Sequence, residues 1–168
     1  EVAALLWEQP SAVIFPEAAA GGDAFLSLAA LTAGARSLIG RPADKLVVEG
    51  ARCVATMAAA FGAVGTGSLH HRLAVAWGLN ATGEQSVRRA LVLLADHELN
   101  PSTFATRVAA STGAAMPACI LAGLATLSGP KHGGAGAALE SLLLEANSIG
   151  ADPAIEREGQ IGTWVVEK

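Results

Sequence analysis

The chain has 168 residues, enough for one domain with a sizeable core, and 52% of them are hydrophobic while only 15% are charged, against about 25% in an average soluble domain. A net charge of −4 with no basic run argues against nucleic-acid binding by phosphate neutralisation. The longest weakly polar stretches, Cys53 to Gly65 and Ala114 to Leu127, fall short of the ~18 apolar residues that a membrane span needs, so no membrane partner is expected.

Much of the apolarity is Ala, and with 19 Gly and no Tyr it points to closely packed helices. A surface this poor in charge predicts a buried subunit interface, hence a homodimer. Its expected contributors are Met57 to Ala63 and Pro117 to Leu127, where small residues permit close approach. Cys53 and Cys119 lack CxxC spacing and read as buried free thiols in a reducing cytoplasm. Glu1 to Trp7 lacks the basic region of a signal peptide.

In chain order, Glu1 to Trp7 reads as the tail of a helix closed by Pro10. Asp23 is placed to cap a helix running through Phe25, Leu28, Leu31 and Leu38, stopped by Gly40-Arg41-Pro42. Ala43 to about Ala63 repeats apolar residues at helical spacing, and Gly65-Thr66-Gly67 ends it. Leu69 to Leu79 is short and amphipathic, with His70-His71-Arg72 expected on a solvated face. Asn80 to Gly83 reads as a turn before a helix from Glu84 to about Glu98, whose stripe is Val87, Leu91 and Leu94. Asn100-Pro101 is a strong helix start, with a capping oxygen followed by a proline at the first helical position. That helix runs to Gly113, and Pro117 to Leu127 forms the next. Ser128 to Gly134 is a loop, and Ala135 to Ile149 is a long helix with Gly150 as its stop. Glu156-Arg157-Glu158 is a polar helical run. Gly159 to Lys168 reads equally as a short strand or an apolar helix. The fold class is all-α.

Two segments carry chemistry. In Asp96-His97-Glu98-Leu99-Asn100-Pro101, an imidazole beside a capped helix start suits an anionic, carboxylate-bearing ligand. His97 serves equally as a cap for helix carbonyls, with Asp96 and Glu98 solvated. In Ser128-Gly129-Pro130-Lys131-His132-Gly133-Gly134, glycines let backbone and ligand approach closely. His132, just before a helix, can donate an N–H to a carbonyl or enolate oxygen without surrendering a proton. Read alone, composition favours a glycine-rich connection with an incidental histidine. GxGxxG after a strand, HExxH and GxSxG are all absent, and no spacing among Cys53, Cys119, His97 and His132 suits a metal.

Taken together, Ala95 to Phe104, Arg107 to Ala114 and Leu127 to Ala135 closely resemble the citrate synthase family in order and spacing, with weaker similarity at Trp77-Gly78-Leu79 and at both ends of the chain. The resemblance implies an all-α, citrate synthase-like large helical domain acting as a homodimer. Its expected reaction is condensation of acetyl-CoA, a substrate rather than a cofactor, with oxaloacetate to give citrate and CoA. By matched motif, His97 binds the keto acid, and His132 hydrogen-bonds the thioester carbonyl as it becomes an enol. Asn100, Gly133 and Gly134 are expected to bind substrate, and neither metal nor cofactor is implied. Two helices running out and back are expected to bring both imidazoles to one end of the bundle.

The sequence departs from the family in one respect. The small-domain residues the family calls for are not found: a Gly-x-Gly-His segment, a catalytic Asp and carboxylate-binding Arg positions. The expected organisation is therefore a large domain over residues 1–158 and a returning segment over 159–168. The small domain is then absent at Glu158–Gly159, where a discontinuity is expected. The stretch from Ser11 to Asp23 is also short relative to the family. Two rival readings stand beside the acyltransferase: an inactive dimeric homologue with an interaction or regulatory role, and a 2-methylcitrate synthase using propionyl-CoA.

Overall fold

Ala and Leu, strong helix formers, dominate the chain. The computed structural model describes residues 1–96 and 98–161. Their regular structure is helical throughout: α1 (Val2–Leu6), α2 (Ala24–Thr32), α3 (Ala43–Ala60), α4 (Leu69–Ala76), α5 (Ala81–Leu93), α6 (Pro101–Ser111), α7 (Met116–Leu127), α8 (Ala135–Ile149) and α9 (Ala151–Ile161). Among the described residues the one β feature is an isolated antiparallel bridge between Ser37 and Ala115. No helix of the described residues is long and apolar enough to cross a membrane. The chain forms two compact units, residues 1–125 and a second beginning at Thr126, where length alone fitted one.

In the first unit α2 packs on α3 and α4 on α5, with a smaller contact between α3 and α4. Small residues make this possible: α3 buries Gly50, Ala51, Cys53, Ala55 and Ala59. Leu28 of α2 is fully enclosed. Trp7 lies over Gly50, where an added Cβ would stand 3.6 Å from its ring, and it meets Phe15 edge-on with centroids 6.2 Å apart.

Helix ends differ from the sequence expectation: α4 stops at Ala76 rather than Leu79 and α5 at Leu93 rather than about Glu98, and two further changes have a visible cause. Asp23 caps α2 as expected, its carboxylate accepting the Leu26 N–H at 2.9 Å, but α2 stops at Thr32 rather than Leu38. Gly34 then takes a left-handed φ of 75°, and the freed segment ties onto the α6–α7 turn. There Ser37 Oγ and Leu38 N–H both donate to the Gly113 carbonyl, at 2.6 and 3.3 Å. A tertiary hydrogen-bonding site outcompetes continued helix. The second change is at α5, which begins at Ala81 because Asn80 Oδ1 accepts the Gly83 N–H at 3.0 Å; the expected turn is a helix cap. The α5 stripe is largely uncovered in this chain: the helix has no buried residue, and Leu94 is 62% exposed.

The α6–α7 hairpin rests on two glycines. Gly113 has φ 78° and receives Ile39 so closely that a Cβ there would overlap it. Gly123, buried on α7, lies against Thr106 Oγ1 and 3.2 Å (measured from an added Cβ) from the Ser102 carbonyl. That register sets the C-terminal half of α7 beside the first turns of α6, as two helices running out and back require.

In the second unit α8 packs on α9. Gly150, at φ 95°, makes the turn between them, and Ala154 is wholly buried. Arg157 Nη1 reaches Glu145 at 2.7 Å, although an ion pair this exposed contributes little. The backbone of α9 is helical from Ala151 to Ile161, across Glu158–Gly159. Its first turn carries Asp152, which complements the helix dipole, and Pro153, whose missing N–H is not needed there.

Candidate functional site

The loop between α5 and α6 is shaped by its own polar side chains. Asp96 Oδ1 accepts the Glu98 N–H at 3.0 Å, closing a turn of the kind short carboxylates favour. Glu98 is left-handed at φ 54°, an uncommon conformation for a residue with a Cβ. Two residues on, Asn100 Oδ1 accepts both the Thr103 N–H at 2.8 Å and the Ser102 hydroxyl at 2.9 Å, with Pro101 opening the helix. Asp96 and Asn100 thus hold the backbone on either side of His97, which itself lies outside the described residues. Asn100→Ala should cost about 1 kcal/mol of stability, the usual worth of a helix cap, read as a lower urea midpoint with unchanged slope.

The loop between α7 and α8 lies in the second unit and folds onto itself. The Gly129 carbonyl accepts two N–H groups, from His132 at 3.0 Å and from Gly134 at 3.1 Å. His132 therefore sits in a turn three residues before the first residue of α8, as its position in the sequence suggested. The glycines beside it have a reason independent of any ligand. A Cβ on Gly133 would lie 2.6 Å from the Leu127 carbonyl oxygen, and one on Gly134 would lie 2.8 Å from that of Gly129 and 2.9 Å from that of Ser128. Only glycine lets the loop close this tightly, and the closure fixes the backbone that carries the imidazole.

The two thiols are buried, unpaired and unreactive by environment. Burial, reinforced by the nearby Glu49 carboxylate and partly offset by Arg52, pushes Cys53 up to about 11 from an ordinary 9.0. Burial also raises Cys119. The consequence for Cys53 is a stability that depends on alkaline pH. Below 9 both folded and unfolded chains keep the proton. Between 9 and about 11 the unfolded thiol ionises while the folded one does not, so the folded state binds more protons and stability falls as pH rises. Urea titrations at pH 8 and pH 10.5 should show this loss in the native chain and a smaller loss in Cys53→Ala.

One side chain departs from the expected solvated face of α4. Arg72, expected on a solvated face, is only 5% exposed. It shares the buried side of α4 with Leu73 and Ala74. His71 does stay near solvent, its Nδ1 lying 3.2 Å from Glu84 on α5.

The family model for citrate synthase, C-terminal domain, matches residues 49–166. The chain belongs to the citrate synthase family. The match runs from within α3 through α9 and takes in both histidine-bearing segments. Citrate synthases form a transferase-type enzyme family, and the all-helical structure described above is consistent with such a domain. No solved structure matches the chain.

Proposed function

We propose that the protein is an acyltransferase that condenses acetyl-CoA with oxaloacetate to citrate and CoA through an enol intermediate. The observation that carries this reading is the family match over residues 49–166, a span that includes Ala95 to Phe104 and Leu127 to Ala135. In it His97 binds the keto acid, with Asn100 as its neighbour at the start of α6. His132, with Gly133 and Gly134 framing the acyl group, donates a hydrogen bond to the thioester oxygen as charge develops there. The self-closed α7–α8 loop supports the second role, because a donor stabilises an enolate best when its position is fixed before reaction. A homodimer is part of the proposal, supported by apolar side chains that one chain leaves exposed at the end of α5 and on α6, among them Leu93, Leu94, Phe104 and Val108. A reducing cytoplasm suits the two unpaired thiols.

The methyl proton must be taken by a base, and the family's small-domain Asp has no counterpart in these 168 residues. That observation favours a second reading, an inactive homologue kept as a dimeric interaction domain. Thiol release from acetyl-CoA and from propionyl-CoA, each with oxaloacetate and full-length protein, separates the possibilities. Release from acetyl-CoA is the expected result. A preference for propionyl-CoA would make the protein a 2-methylcitrate synthase, and a folded protein releasing no thiol from either would be the inactive homologue. The 168-residue segment alone should exchange no methyl protons of acetyl-CoA.

A further inference from the structure

Within the first unit lies a cavity of about 940 Å3, lined by the segment before α2 and by residues of α3, α4 and α5. The size falls in the range of small-molecule sites. Most of its wall is apolar, from Trp7, Val13, Phe15, Leu69, Leu91 and Val92. Set into that wall is Arg72, the most deeply buried charged side chain among the described residues. Its guanidinium donates to three carbonyl oxygens, of Phe15 at 2.6 Å, Gly67 at 2.9 Å and Pro16 at 3.0 Å.

Those contacts take three of the five N–H donors and supply no negative charge. Among the described residues no carboxylate pairs with Arg72. A buried cation is costly without a counter-charge, and dipoles offset only part of that cost. Arg88 adds a second positive charge to the same lining, while the two carboxylates that also line it, Glu1 and Glu17, are exposed to water. A long apolar wall with one buried, uncompensated cation is complementary to an amphiphilic anion. The geometry points to a medium-chain alkyl monocarboxylate as the ligand, its carboxylate on the Arg72 guanidinium and its chain along Trp7, Phe15 and Val92. The site reaches Ala95 but takes no residue from Asn100 to Phe104 or from Leu127 to Ala135, so the inference does not rest on the condensation chemistry.

Calorimetric titration of the protein with decanoate, decan-1-ol and decyltrimethylammonium, each below its micelle concentration, tests it. Decanoate should saturate one site, and decan-1-ol should bind roughly tenfold or more weakly, the worth of a hydrogen bond to a charged group. The cation should not bind. Val92→Trp, at a position 42% exposed and therefore tolerant of bulk, should fill the cavity and abolish decanoate binding with the helical spectrum retained. Ala12→Trp, at another exposed position of the lining, is a second blocking variant. Equal affinity for acid and alcohol, undiminished binding to a folded blocking variant, or no binding of decanoate at millimolar concentration would each overturn the assignment.

Discussion

Replacing His132 by alanine in the complete enzyme should lower kcat by roughly 10²–10³-fold while leaving KM for oxaloacetate little changed, the signature of a donor that acts chiefly in the transition state. In the proposed reaction the thioester oxygen is a weak acceptor in the ground state and becomes strongly basic only as the methyl proton leaves. A hydrogen bond from His132 then strengthens along the reaction coordinate. The loop around it is already closed by the two N–H bonds to the Gly129 carbonyl, so alanine removes the imidazole without releasing the backbone. His97→Ala should behave differently, raising KM for the keto acid as well as lowering kcat. Steady-state kinetics with both substrates varied separates the two. A loss confined to KM in His132→Ala would remove the enol-stabilising role.

Gly123→Ala should destabilise the protein by about 1–3 kcal/mol, the range for overpacking a tight interior. The methyl would overlap Thr106 Oγ1 and press on the Ser102 carbonyl, so α6 and α7 must move apart. The Thr106 hydroxyl cannot easily turn away, because it donates to the Ser102 carbonyl at 2.9 Å. Thermal unfolding of Gly123→Ala, Thr106→Ala and the double variant gives a direct check. Removing Thr106 Oγ1 should relieve part of the strain, so the double variant should be more stable than the sum of the two single losses allows. Strict additivity would mean that this contact does not set the helix spacing.

Helix type and most helix starts were readable from local chemistry. Asp23 and Asn100 each sit one residue before a helix and cap it as their positions predict, and Gly150 ends α8 likewise, whereas Asn80 reads locally as part of a turn and instead caps α5. What was not readable was decided by distant partners. Nothing near Thr32 announces that Ser37 and Leu38 will bond to Gly113, seventy-odd residues away, and so the local pattern extends α2 too far. The charge of Arg72 points to solvent, while the Phe15 and Pro16 carbonyls that receive it lie in a loop with no periodicity at all. For the candidate site, the residue types and their order were legible and marked both histidine segments. The need for glycine at positions 133 and 134 was also legible, but its cause was not: the close approach is by the loop's own carbonyls.

The way Arg72 is held has an outcome for how this protein tolerates change. It grips the Phe15–Pro16 segment through main-chain oxygens, and every amino acid offers that same atom. The path of the segment is therefore written into one residue of α4 rather than into the segment itself. Exposed positions such as Ser11, Ala12 and Glu17 are open to substitution with little consequence for where the strand of chain runs. Losing the single guanidinium would let go of both carbonyls at once, and the whole N-terminal arm would be mislaid by a change fifty-six residues downstream of Pro16.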